Sequence, residues 1–120
     1  MAAAKYDLLI EQGATLRRVI VYRDPNGAPI DLTGSRVLWQ VRDHPESATT
    51  ILSFDSDNLL TGQTCGPLDA TGTIDFAVSD EVTATLDFTL ARWDLIVESA
   101  GGERDRLLEG KATLDRGVTR

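Results

Sequence analysis

Apolar residues recur along this chain at every second position far more than at every third or fourth. The clearest case is residues 35–42, where Val37, Trp39 and Val41 face one way. Arg36, Gln40 and Arg42 face the other, with Leu38 the exception. Strict alternation marks a strand with one buried face. Residues 89–99 repeat it: Trp93, Leu95 and Val97 share a face, with Asp94 and Glu98 between them. In residues 72–78, Ile74, Phe76 and Val78 alternate with Thr73, Asp75 and Ala77, and residues 59–64 supply a hairpin partner across a loop at 65–71. Ala100-Gly101-Gly102 turns residues 89–99 back onto a last strand over 104–114, where Leu108, Gly110, Ala112 and Leu114 have one parity. Weaker alternation predicts strands over 6–10, ended by Gly13, and over 50–54.

The longest β-branched run, Val19-Ile20-Val21-Tyr22, lies in a strand predicted over 15–22. One of its faces carries Leu16, Ile20 and Tyr22, and the other Val19 and Val21. Two apolar faces predict a central strand, covered on each side or flanked by another chain. Asp24-Pro25-Asn26-Gly27 follows: proline presets φ, and Asn-Gly accepts the positive φ of a tight reversal. A short returning segment over 28–32 completes the hairpin, and Pro29, which lacks a ladder donor, puts it at an edge. The exception to the period is residues 79–86. There Ser79 is a good N-cap and Asp80 and Glu81 are first-turn acids, which predicts one short helical turn despite its threonines. Seven or eight antiparallel strands with turns every ~8–12 residues make an all-β sandwich of the immunoglobulin-like or jelly-roll kind. A single domain spanning residues 1–120 fits the chain's length, and no linker or repeat interrupts it.

The charge is distributed unevenly. Net charge is −7, and residues 43–91 hold nine acids (Asp43, Glu46, Asp55, Asp57, Asp69, Asp75, Asp80, Glu81 and Asp87) and no lysine or arginine. The first 42 residues hold six bases against four acids, and the last 29 hold six of each. A pI near 4.5 excludes the basic stripe that nucleic-acid binding needs. No apolar run approaches the ~20 residues of a membrane helix. The start, Met1 to Lys5, lacks the apolar core of a signal peptide, which predicts synthesis in the cytoplasm. The acidic middle reads either as a solvated surface or as an electrostatic handle. On the second reading, Arg17, Arg18, Arg36 and Arg42 are the interface candidates, facing the acidic middle of a neighbouring copy or partner.

No catalytic set stands out. The single His44 sits in a loop beside Pro45 without a recognisable nucleophile, and no phosphate-cradling glycine loop or Cys/His zinc cluster is present. The lone Cys65 lacks a nearby cation and reads as a small core or loop residue. Asp55-Ser56-Asp57-Asn58 has calcium-type oxygens, but Leu60 stands where the calcium loop needs glycine, so it reads as a turn. Trp39 and Trp93 share parity with valines and leucines, which predicts burial rather than stacking on a sugar. No cofactor and no metal is expected, and the chain reads as a non-enzyme.

Three phrases carry a family resemblance: Glu11-Gln12-Gly13-Ala14-Thr15 after Tyr6-Asp7-Leu8, then residues 22–34 (YRDPNGAPIDLTG), then Arg106-Leu107-Leu108-Glu109-Gly110. Together they resemble small tail or baseplate structural proteins of bacteriophages and prophages, in the style of the N-terminal β-sandwich domain of baseplate upper proteins. The resemblance implies a virion protein made in the bacterial cytoplasm, docking onto other virion proteins, with a homo-oligomer or symmetric ring expected. The sequence ends at Arg120 without a following shaft or receptor-binding domain, which favours an adaptor over a self-contained fibre. A capsid decoration protein of the same fold is the alternative, and a carbohydrate-binding module a more distant one.

Overall fold

The computed structural model describes residues 3–117. Met1, where the leader reading begins, and Arg120 lie outside them. Nine strands and one helix follow in order: β1 (Ala4–Lys5), β2 (Leu8–Glu11), β3 (Leu16–Val21), β4 (Arg36–Arg42), β5 (Leu52–Asp55), β6 (Gln63–Cys65), β7 (Thr73–Val78), α1 (Asp80–Ala84), β8 (Leu90–Glu98) and β9 (Arg104–Asp115). They form two sheets. The larger has the order β1-β9-β8-β4-β5, with β2 also paired to β9, and the smaller is β3-β7-β6. The sandwich expected from the alternation is the observed architecture, of the immunoglobulin-like kind.

Alternation works here because each sheet buries one face. In β4 the odd positions Val37, Trp39 and Val41 are at most 1% exposed, and in β7 Ile74, Phe76 and Val78 are fully buried. Trp39 is the meeting point. Its ring lies 5.3 Å from Phe54 in a near-parallel stack, 5.1 Å from Phe76 and 6.3 Å edge-on from Trp93. Phe54 and Trp93 belong to its own sheet and Phe76 to the opposite one, so this cluster joins the two layers. Both tryptophans are buried in one core, at 1% and 3% exposure.

Three expectations need correction. The strand predicted over 6–10 is β2, at Leu8–Glu11, preceded by a further strand β1 that the alternation does not predict, and both run parallel to β9, so the sheet is not wholly antiparallel. The register against β9 runs on between them, and the ladder is interrupted at Tyr6–Asp7, where the Lys111 N–H donates to Asp7 Oδ1 at 3.0 Å; Gly110 permits the close approach, since a Cβ there would collide with the Tyr6 carbonyl. Trp93, opposite Gly110, donates its Nε1–H to that same carbonyl at 2.7 Å. Secondly, β3 is not central. It pairs with β7 alone and forms an edge of the smaller sheet, leaving Val19 57% and Val21 40% exposed. Apolar content on both faces does not require cover on both faces. Thirdly, the returning segment 28–32 joins no strand. The Asp24–Gly27 turn forms, with Gly27 at φ 87° and Asp24 Oδ1 accepting from Asn26 and Ala28, but pairing stops at one bridge, Arg23 with Pro29. Ile30 then bonds the Tyr22 carbonyl and Leu32 the Asp69 carbonyl, so the segment crosses between elements. Beyond the predicted parity of Leu108, Gly110, Ala112 and Leu114, which the register keeps, β9 carries a bulge: Leu108 faces Leu95 and Arg106 faces Ile96, leaving Leu107 unpaired.

The helical turn is where the sequence placed it. Ser79 caps α1, with its Oγ accepting from Val82 N–H. Thr83, the residue type that weakens a helix, is fully buried for another reason. Its Oγ1 donates to the Ala14 carbonyl at 2.8 Å and accepts from Gly13 N–H at 3.1 Å, tying α1 to the β2–β3 turn.

The two tryptophans should respond differently to substitution. Alanine at either costs about 3–5 kcal/mol. Phenylalanine separates them: Trp39 Nε1 has no partner among the described residues, so Trp39→Phe loses only packing. Trp93→Phe also strips a bond from the Tyr6 carbonyl and should cost about 1–2 kcal/mol more. Urea unfolding of the two variants checks this.

Candidate functional site

The four arginines singled out from the sequence lie on two different sheets. Arg17 projects from the outer face of the smaller sheet and pairs with Asp75 on the neighbouring β7, Nη2 to Oδ2 2.8 Å. Arg18 points the other way and spends its guanidinium on two carbonyls, Arg17 O and Leu9 O, each at 2.8 Å. It thereby bridges the β3 edge of one sheet to β2 of the other. Arg36 and Arg42 share the outer face of the larger sheet. Arg36 lies between Asp55 at 3.5 Å and Glu98 at 3.3 Å, and Arg104 reaches Glu98 from the far side at 3.6 Å. This row alternates sign across four strands, an arrangement that stabilises facing strands. Two of the four arginines thus meet acids of the chain's own middle segment. Arg42 meets none: its guanidinium bonds Gln40 Oε1 at 2.8 Å and the Ser47 carbonyl at 2.5 Å, both neutral acceptors.

The register brings two further cations to Arg42. Arg92 on β8 stands directly opposite it, and Lys111 on β9 directly opposite Arg92. The side chains of Arg92 and Lys111 make no hydrogen bond or ion pair with another described residue, while the Lys111 backbone N–H donates to Asp7 Oδ1 at 3.0 Å. Sequence inspection missed both, since they lie in the charge-balanced final third; only the pairing of β4, β8 and β9 aligns them. The adjoining row holds Asp94 and Glu109, each already paired, with Arg106 at 3.2 Å and Lys5 at 3.3 Å. A groove of about 320 Å³ runs over this face, lined by Arg42, Arg92, Pro45 and Ile96 among others.

A second opening, of about 280 Å³, lies at the seam between the sheets. Ile20, Val21 and Tyr22 line it from the β3 side, and Ala4, Leu107 and Leu108 from the other. The Tyr22 phenol there is held above its ordinary range, first by burial and then by the Asp105 charge. Beside it, the β3 edge is free. Even-numbered residues of β3 bond towards β7, as Tyr22 N–H does to Gly72 O at 2.8 Å. The N–H and C=O groups of Val19 and Val21 therefore face outward.

The remaining candidates have structural environments. His44 is exposed in its loop. The Cys65 thiol is half-buried and held above its ordinary range by burial and by Asp75, which keeps it protonated and a poor nucleophile. Asp55 accepts from Asp57 N–H and Asn58 Nδ2 within its own turn, and no group of three or more His, Cys, Asp or Glu among the described residues converges as metal ligands. No helix among the described residues is long and apolar enough to cross a membrane. With both tryptophans inside the core, the exposed aromatic platform of a sugar-binding module is not formed by them.

The fold defines an immunoglobulin-like β-sandwich. It is similar to a solved structure from work on multimeric cell-adhesive interactions of VGSC beta subunits. The TM-score is 0.54 at 12% identity, covering 94% of this chain and 93% of that one. No protein-family model matches the chain, and no curated protein matches it.

Arg17 holds the Asp75 carboxyl below the ordinary aspartate range, chiefly by hydrogen bonding. Thr33 does the same for Asp31 and Thr71 for Asp69. A carboxyl whose folded pKa is depressed stabilises the fold above its unfolded pKa and loses that contribution as pH falls through the folded value. The melting temperature should accordingly be level at neutral pH and fall as acid takes these three aspartates below their ordinary range. In Arg17→Gln, an NMR titration should show the Asp75 carboxyl moving up while Asp31 and Asp69 stay in place.

Proposed function

We propose that this chain is a non-enzymatic structural subunit that assembles through its β3 edge, working on the tail or baseplate of a bacteriophage. The observation that carries the assembly is the free strand edge. β3 presents two exposed valines together with outward-facing backbone donors and acceptors, the combination that natural sheets normally cover or blunt with charge. A second copy of the chain suits it best. Antiparallel pairing centred on Ile20 sets Val19 against Val21 of the partner copy, and the reverse. It uses only the four free backbone groups and avoids the Arg17 carbonyl that Arg18 occupies. Arg17, on the same face as the two valines, is paired with Asp75, and Arg18 is held on the Leu9 and Arg17 carbonyls, so no unpaired carboxylate of β3 opposes the contact.

The phage setting is supported by the three sequence phrases that resemble tail and baseplate proteins. One of them, Arg106-Leu107-Leu108-Glu109-Gly110, falls on the β9 bulge and seam, and another, residues 22–34, runs from the end of β3 through the loop that follows. The similar solved structure is described for multimeric adhesive interactions, which shares the theme of a sandwich that associates.

Two measurements test the proposal. Val19→Lys with Val21→Lys should leave the melting temperature nearly unchanged, since exposed substitutions shift stability by only ~0.5 kcal/mol, and should abolish a two-fold dimer in sedimentation velocity. A wild-type chain that stays monomeric at high concentration refutes β3 pairing. For the setting, dissected virions should carry the chain in the tail fraction. Recovery with capsids favours a decoration protein instead, and absence from both fractions refutes a virion role.

A further inference from the structure

Six large apolar side chains stand exposed among the described residues: Leu9, Val19, Val21, Leu59, Leu60 and Leu90. The two valines belong to the β3 edge. The other four fall into two groups on different parts of the surface, and charge distinguishes them.

The first group borders the cation row. Leu9 and Leu90 are 45% and 56% exposed, and both stand opposite Thr113, on β2 and β8 respectively. They form the row next to Lys111, Arg92 and Arg42 on the outer face of the larger sheet. Three like charges facing one another across neighbouring strands oppose pairing; the carboxylates of Asp94 and Glu109 are already engaged, and Asp7, beside Lys111, accepts the Lys111 backbone N–H. This face is therefore incomplete in charge and in apolar cover together. The second group lies on the loop between β5 and β6. Leu59 and Leu60 are 42% and 60% exposed, and Asp57, also exposed, precedes them. The loop is held in shape by Asn58 N–H to Asp55 O at 2.9 Å, and by Gln63, which bonds Leu60 N–H and the Ser53 carbonyl.

The geometry points to a head-to-tail contact between copies of this chain. We propose that Asp57, Leu59 and Leu60 of one copy dock on the Arg42–Arg92–Lys111 row and the Leu9–Leu90 strip of the next. The carboxylate meets cations that have no carboxylate partner in an ion pair among the described residues, and leucine covers leucine. A second copy is the occupant because the chain carries both halves: an acid beside two exposed leucines, and cations beside two exposed leucines. The contact is heterologous, so it closes a ring or extends a filament, whereas the β3 contact is two-fold. Where the heterologous contact closes, the two together give a dihedral double ring. This inference deepens the reading of the chain as a self-assembling subunit but uses a different surface, so the two fail separately.

A mixing experiment in the Val19→Lys, Val21→Lys background tests it, with the two-fold contact removed. The background protein should still associate, more weakly as salt rises. A face variant, Arg92→Glu with Lys111→Glu, and a loop variant, Leu59→Ser with Leu60→Ser, should each be folded by circular dichroism. Each should associate at least about tenfold more weakly than the background. Mixed together they should form a one-to-one complex and nothing larger, because each retains one working half. Adding Asp57→Arg to the face variant should restore its self-association. Arg92→Gln with Lys111→Gln repeats the face test should the glutamates disturb the sheet. A background protein that is monomeric throughout, or face and loop variants that associate as it does, overturns the contact. So does a mixture that stays monomeric. If wild type nevertheless dimerises and the lysine pair abolishes that dimer, the β3 contact stands alone.

Discussion

Everything else in this molecule depends on Trp39 being held between two sheets. Its ring touches Phe54 and Trp93 in its own layer and Phe76 in the opposite one. Aromatic pairs of this kind add about 0.5–1.5 kcal/mol each beyond the area they bury. That contact sets which face of β4, β5, β7 and β8 points inward, and hence which residues are left for the surface. A one-residue slip of β4 would bring Arg36, Gln40 and Arg42 into the core, so the register is strongly specified. The pairings that align Arg42, Arg92 and Lys111 follow from the same constraint.

A second contact closes the edge of the larger sheet. The Tyr6 carbonyl lies over Gly110 and accepts from Trp93 Nε1, while the Tyr6 ring meets Trp93 edge-on at 5.9 Å. β1 and β2 are separate strands where the ladder gives way to side-chain bonds: Trp93 Nε1–H to the Tyr6 carbonyl and Lys111 N–H to Asp7 Oδ1. At the opposite side of that edge, Arg18 links Leu9 O to Arg17 O across the two sheets. Between these two closures the seam stays open beside Ile20, Val21 and Leu107.

The electrostatics show how an uneven sequence becomes an orderly surface. The acidic middle is partly neutralised at home, through Arg17 with Asp75 and Arg36 with Asp55. Exposed pairs of this sort contribute little to stability individually. Their effect here is to engage Arg17 and Arg36, which makes the row on β4, β8 and β9, with no ion pair among the described residues, conspicuous. Surfaces combining apolar area with unpaired charge are those at which charge sets orientation while burial supplies affinity.

Much of the fold was legible in the residues themselves. Alternation placed the buried faces of β4, β7 and β8, Asn26-Gly27 marked the positive-φ turn, and Ser79 marked the start of α1, because each of these is set by local geometry and side-chain parity. What the sequence could not determine is which strands become neighbours. β3 carries apolar residues on both faces and reads as central, yet it lies at an edge, since cover is decided by the number of strands available rather than by a strand's composition. The arginines named from the sequence were grouped by closeness along the chain, but strand pairing sends Arg17 and Arg36 to opposite sheets. The same pairing brings Arg92 and Lys111 beside Arg42 across gaps of 50 and 69 positions. Charge alignment across a sheet depends on register between distant segments, and that exists only once the two layers have packed around Trp39.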